Sequence, residues 1–170
     1  MIASISGFRA LRLAAVFGGL LFLTACASDK AADGMGGAGA GGGLGGAATP
    51  GSAQDFVVSV GDRVFFETDS TDLTPTATAT LDKQAQWLAQ YGSYAIQIEG
   101  HADERGTREY NFALGARRAQ AVRDYLAGKG IPASRLKTVS FGKERPVAVC
   151  DDISCWSQNR RAVTALSGGN

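Results

Sequence analysis

Two side chains near the middle of the chain could do chemistry together. Asp103 sits in a polar loop, Gly100 to Gly106, and Arg118 lies on the helical segment that follows. A guanidinium is a planar fork of donors that fits a carboxylate, and a carboxylate accepts hydrogen bonds from an ammonium. Converging on one pocket, the pair would suit a ligand that carries both charges. Asn111 and Leu114 precede Arg118 at the spacing i, i+3, i+7, so all three share one helix face. Residue type alone leaves plainer readings open. An Asp in such a loop commonly caps the turn or the next helix, and Arg118 could serve only as its structural ion-pair partner. Arg117 falls off that face and reads as surface charge.

The elements that would position these groups follow from periodicity. Ile96-Gln97-Ile98-Glu99 alternates apolar and polar residues and predicts a strand over 95–99 ahead of the loop. Beyond the loop, Gly115, Ala119, Val122 and Leu126 form the apolar stripe of a long amphipathic helix. That helix ends at Gly128-Lys129-Gly130, with Ile131-Pro132 preventing continuation. Upstream, Phe56 to Val60 and Arg63 to Glu67 read as two short strands around Gly61-Asp62. Thr68 to Leu73 is a polar loop. Thr74 is a natural N-cap with Pro75 at the first helical position, and Leu81, Ala85 and Leu88 supply that helix's buried stripe before Tyr91-Gly92. Pro132 to Leu136 suggests one further turn. Residues 137–142 alternate as a strand, 143–157 read as a loop, and Arg160 to Leu166 as the last strand. The order predicts an α/β (α+β) fold with a mixed sheet and helices packed on one side.

The chain has room for one domain of ordinary size. Lys plus Arg total 17 against 16 for Asp plus Glu, a net charge of +1, which gives no electrostatic case for nucleic acid as partner. Nine of the 23 glycines cluster in one tract, Gly34 to Gly46. Residues 1–25 read as an export signal: Arg9 and Arg12 form a basic start, and Leu13 to Leu23 an uncharged core too short for the ~20 residues of a membrane span. Leu23-Thr24-Ala25-Cys26 resembles the bacterial lipobox, which implies a covalent lipid on Cys26, and Ala27 after it favours the outer membrane. Residues 26–54 form a Gly/Ala-rich tether that cannot bury enough apolar area to order itself, and would span about 30 Å as a random coil. The folded domain is expected over residues 55–170.

Several chemistries find little support. His101, the one histidine, has no second ligand at metal spacing and reads as a turn-stabilising residue. Glu99, Asp103 and Glu104 supply carboxylates, and glycoside cleavage needs two about 5–9 Å apart. Yet strand alternation explains Glu99, and no nucleophile–base arrangement or phosphate loop accompanies them. Neither an enzyme nor a cofactor is expected. Trp87 and Trp156 read as packing residues. Cys150 and Cys155 remain as an even pair in an exported chain and predict a disulfide, worth roughly 2 kcal/mol on the chain-entropy estimate. A redox pair usually has two intervening residues, and this one has more.

The motifs together carry a resemblance. Gly100-His101-Ala102-Asp103-Glu104-Arg105-Gly106-Thr107, Tyr110-Asn111, Leu114-Gly115, Arg117-Arg118-Ala119, Phe141-Gly142-Lys143-Glu144 and Asn159-Arg160-Arg161-Ala162-Val163 resemble the OmpA-like peptidoglycan-binding domain family over residues 60–166. That resemblance implies a βαβαββ sandwich. It also implies a non-covalent grip on the diaminopimelate side chain of peptidoglycan, whose free end is a zwitterion. Asp103 and Arg118 match the principal ligand pair, with Asn111 and Leu114 as pocket wall. Asp69 matches an acid in the loop after the first strand. Glu67 and Thr68 depart from the Asp-Phe-Asp pattern many relatives have there. With the lipobox and tether, the likeness extends to lipid-anchored members that work at the outer membrane with TolB and the other Tol proteins during envelope constriction at division. A barrel or a flagellar-stator member of the family is not expected, since no barrel or membrane span accompanies the domain.

Overall fold

A computed structural model describes residues 48–169. The expected export signal, the expected lipidation site Cys26 and most of the expected tether lie outside the described residues.

The first element among the described residues starts at Ala53. Ser52 caps a single turn, α1 (Ala53–Asp55), its Oγ accepting from the Asp55 amide at 3.1 Å. The chain then runs through a π-helical turn, Phe56–Val60, where a strand was expected. The β-branched run favours extended backbone locally, but only Phe56 is buried, against Trp87 with ring centroids 5.0 Å apart. Val57 and Val58 face solvent, so no strand face is formed, and one aromatic contact outweighs propensity.

The remaining elements are β1 (Arg63–Phe65), α2 (Pro75–Gln90), β2 (Ala95–His101), α3 (Arg108–Gly128), β3 (Leu136–Gly142), α4 (Ile153–Asn159) and β4 (Arg161–Ser167), with a 3-10 turn at Ala133–Arg135. The sheet order is β1-β4-β2-β3, with β2 and β3 parallel and β4 antiparallel to both its neighbours. This is the expected mixed sheet, differing at two places. The first predicted strand is helical, and α4 lies inside the stretch read as a loop. Nothing in Ile153–Asn159 repeats at helical spacing. What holds it is local: the Asp152 side chain accepts from the Ser154 amide at 2.7 Å, and Cys155 is bonded to Cys150.

The start of α2 follows its sequence signal: Thr74 Oγ1 accepts from the Ala77 amide at 3.1 Å with Pro75 at the first position. The start of α3 is capped in the same way, with Thr107 Oγ1 accepting from the Tyr110 amide at 3.2 Å. Leu81, Ala85 and Leu88 of α2 and Ala119, Val122 and Leu126 of α3 pack on Ile96, Ile98, Leu136 and Ala162 of the sheet. Gln97 and Lys137, on the opposite face, are exposed, so the helices cover one side.

The depth at which α3 sits is set by two glycines. A Cβ on Gly100 of β2 would lie 1.8 Å from the Gly115 carbonyl oxygen of α3, and a Cβ on Gly115 only 2.5 Å from Ser140 Oγ. Helix and strand touch backbone to backbone there, which neither could do with a side chain in between. We therefore expect Gly100→Ala to cost about 1–3 kcal/mol in chemical denaturation, as overpacking typically does. Gly128→Ala, where an added Cβ meets nothing within 4 Å, should instead be neutral or stabilising by up to about 1 kcal/mol. Equal losses in the two variants would show that the close approach is not what makes Gly100 necessary.

Candidate functional site

The organising group is Arg118. It is wholly buried, and its guanidinium donates to three backbone carbonyls: Nε to Ser70 at 2.9 Å, Nη1 to His101 at 2.8 Å and Nη2 to Glu67 at 3.1 Å. One side chain thereby ties the loop after β1 to the end of β2. The loop itself turns tightly, with the Ser70 amide donating to Glu67 O at 3.2 Å and Asp69 in the left-handed region at φ 54°. Asp tolerates that conformation better than most residues. The departure from pattern at Glu67 acquires a reason here, since the loop meets Arg118 through a carbonyl that any residue supplies.

Asp103, Arg118, Asp69, Asn111 and Leu114 all line one cavity of about 200 Å³, completed by Thr68, Arg105, Gly106 and Tyr110. Asp69 accepts a short hydrogen bond from the Tyr110 hydroxyl. Asn111 Nδ2 donates to Arg105 O at 2.7 Å, pinning the acidic loop onto the first turns of α3. A larger cavity of about 520 Å³ lies beside Arg108, Phe112 and Phe141, and none of these five residues lines it.

Asp103 and Arg118 are brought together without forming the direct ion pair that residue type alone suggested. Asp103 is bound instead by Arg105, with Nη2 to Oδ2 at 2.6 Å, and by Arg160, with Nη1 to Oδ2 at 3.4 Å. Burial pushes the Asp103 carboxyl up, but hydrogen bonds from the Arg105 side chain and amide, with the nearby guanidiniums, outweigh it and hold the group below the usual Asp value. Burial dominates for Arg118 and brings it down to about 10, with Asp103 and Asp69 opposing. Both groups stay ionised at neutral pH.

Sequence reasoning missed Arg105 and Arg160 as site residues, although both stand inside motifs it singled out. Arg160 is buried and also donates through Nε to Phe66 O at 3.0 Å. The signal was the run of charge in Asn159-Arg160-Arg161, at a strand start where burial would demand partners. Trp87 packs as expected, among Phe56, Tyr91 and Tyr94. Trp156 does more than pack: the Arg105 guanidinium lies 4.3 Å over its ring, and its Nε1 donates to Glu104 at 2.8 Å. His101 stabilises no turn through its side chain. Both ring nitrogens are buried without a hydrogen-bond partner, the ring stacks on Phe141 at 5.5 Å, and the nearest carboxylate, on Glu99, is 3.8 Å away. Among the described residues no group of three or more His, Cys, Asp or Glu could hold a metal, and no helix is long and apolar enough to cross a membrane.

Comparison with known proteins places this geometry among relatives. A model described as the OmpA family matches residues 65–160. The peptidoglycan-associated lipoprotein of Rhizobium meliloti (strain 1021) is 68% identical over 149 residues, covering 87% of this chain and 83% of that protein. Its namesake in Agrobacterium fabrum is 73% identical over 128 residues, covering 74% and 72%. Among solved structures, the crystal structure of the peptidoglycan-associated lipoprotein from Burkholderia pseudomallei is 42% identical with a TM-score of 0.61, covering 62% of this chain and 90% of that one.

Two outcomes are expected from the site's construction. Arg118→Ala leaves the Glu67, Ser70 and His101 carbonyls without their donor and should destabilise the domain by about 3 kcal/mol or more in denaturant titration. Arg118→Lys should recover only part of this, because an ammonium cannot reproduce the planar fork. The second concerns pH. Burial, then the positive charges of Arg161 and Arg145, lowers the His101 pKa from 6.5 to about 4. The unfolded chain therefore binds the extra proton first, and stability contributed by the neutral ring is complete above pH 6.5 and lost as pH falls toward 4. Between pH 7 and 4 the wild type should lose about 3 kcal/mol more than His101→Phe, measured as parallel denaturation curves. Parallel losses in the two proteins would refute this assignment.

Proposed function

Because the chain belongs to the OmpA family, as a peptidoglycan-associated lipoprotein, we propose that its cavity binds the diaminopimelate side chain of the cell-wall stem peptide without covalent chemistry. The observation that carries this reading is the lining of one small cavity by two ionised groups of opposite sign, Asp103 and Arg118. Arg118 uses three of its five N–H groups on carbonyls and keeps two for a ligand carboxylate. Asp103 is the acceptor for the ligand ammonium. Asn111 and Leu114 form the wall beside them, and Asp69 stands opposite on the Tyr110 hydroxyl.

Binding suits the electrostatics better than catalysis. A general acid that cleaves a glycoside needs a raised pKa, whereas Asp103 is held ionised by its guanidinium neighbours. The relatives it matches are named peptidoglycan-associated lipoproteins. A lipid on Cys26 would hold the chain in the outer membrane, and the Gly-rich tether would let the domain reach the wall from the periplasm. We place the protein in the Tol–Pal system, linking membrane to wall during division and exchanging the wall for TolB.

Co-sedimentation of the full chain in detergent with diaminopimelate-type sacculi tests the reading. Wild type should pellet, and Asp103→Asn, folded by circular dichroism, should bind about tenfold or more weakly. A wild type that stays in the supernatant would sink the wall-binding proposal, and an Asp103→Asn that pellets like wild type would remove Asp103 from the site.

A further inference from the structure

We propose that Arg105 is a built-in occupant of the cation position, and that displacing it weakens every ammonium ligand alike, so that only one that also brings a carboxylate to Arg118 binds measurably. This rests on the reading above that the ligand presents an ammonium to Asp103.

An ionised carboxylate offers about four lone-pair sites. On Asp103 all four are taken. Oδ1 accepts from the Arg105 amide and from Arg105 Nε, both at 3.2 Å, and Oδ2 accepts from Arg105 Nη2 at 2.6 Å and Arg160 Nη1 at 3.4 Å. A ligand ammonium therefore finds no free acceptor, and one donor has to leave. The amide is fixed by the loop. Arg160 is buried and anchored through Nε to Phe66 O at 3.0 Å. The Arg105 side chain is the movable one: it is 41% exposed, and its other polar contact is a long one, Nη2 to Thr68 Oγ1 at 3.4 Å. It also has somewhere to go. Its guanidinium already lies over the Trp156 ring, whose Nε1 is bonded to the Glu104 carboxylate, so leaving Asp103 keeps the aromatic face and nears a second anion.

The exchange sets that threshold. A lone ammonium that displaces Arg105 swaps one cation for another on Asp103 and gains little. A ligand that brings a carboxylate to Arg118 as well adds a new charge-assisted contact, and only then is the exchange favourable. Lysine-type side chains would fail on this ground, not through any clash of shape.

Two probes separate the possibilities: a stem peptide carrying meso-diaminopimelate, and the same peptide with lysine in its place, each titrated into the full chain in detergent by calorimetry. Removing the occupant with Arg105→Ala should tighten both peptides about two- to fivefold, the worth of a half-exposed ion pair. Trp156 emission, taken as the difference from Trp156→Phe, should change on binding in the wild type and not in Arg105→Ala, because only a moving guanidinium alters that ring's surroundings. Weaker diaminopimelate binding in Arg105→Ala with lysine-peptide binding unchanged would make Arg105 a contact to the ligand carboxylate and overturn the proposal alone. A wild type that binds neither peptide would instead bring down the wall-binding reading beneath it.

Discussion

A single buried cation sets the terms for this domain. Taking a guanidinium wholly out of water is costly unless its donors are met and counter-charge is near. Arg118 meets the first condition with carbonyls from two separate segments, Glu67 and Ser70 on one side and His101 on the other. It meets the second with Asp103 and Asp69, whose fields raise its pKa against burial. Satisfying Arg118 therefore assembles the cavity. The loop after β1 must curl toward α3, Asp69 must accept a left-handed backbone to let it, and the end of β2 must present its carbonyl inward. The geometry that would grip a ligand is the same geometry that makes the arginine tolerable.

That arrangement in turn needs α3 to lie close on the sheet. The backbone contact of Gly100 with Gly115 sets the distance, and Ser140 Oγ closes it from β3 by donating to Phe112 O at 2.6 Å. The helix works on two faces at once. Ala119, Val122 and Leu126 bury apolar area, while Asn111, Leu114 and Arg118 are equally buried but polar in part. A strip of core and a strip of site side by side make a helix that is buried over more of its girth than an ordinary amphipathic one.

Where the sequence was legible, a local rule coincided with the tertiary need. Both stripes of α3 are among its buried residues, and the cap at Thr74 is bonded as its residue type predicts. Legibility failed where long-range contact decided. Phe56–Val60 has strand composition but is governed by Phe56 on Trp87, and α4 is held by a capping Asp and a disulfide without any apolar period. Arg105 and Arg160 were visible as residues and invisible as partners of Asp103. One is two positions from it in the loop and the other arrives from the start of β4, and side-chain period speaks to neither relation. The plain alternative of an Asp103–Arg118 ion pair was reasonable for the same reason: sequence shows which charges exist and leaves their pairing open.

The pairing that does occur decides what kind of site this is. The guanidiniums of Arg105 and Arg118 share the cavity with the carboxylates of Asp103 and Asp69, Arg160 reaches Asp103 from outside that lining, and the acceptor sites of Asp103 are already filled. A site that must transfer protons is built the other way, with a carboxyl pushed up by burial and left short of donors. Here burial's upward push on Asp103 is overcome by hydrogen bonds, and nothing is left poised to give or take a proton near neutral pH. The one group in reserve, the neutral His101 ring, contacts Phe141 and not the cavity. A carboxylate filled in this way suits a ligand that exchanges one cation for another on Asp103 while its own carboxylate meets the N–H groups left on Arg118.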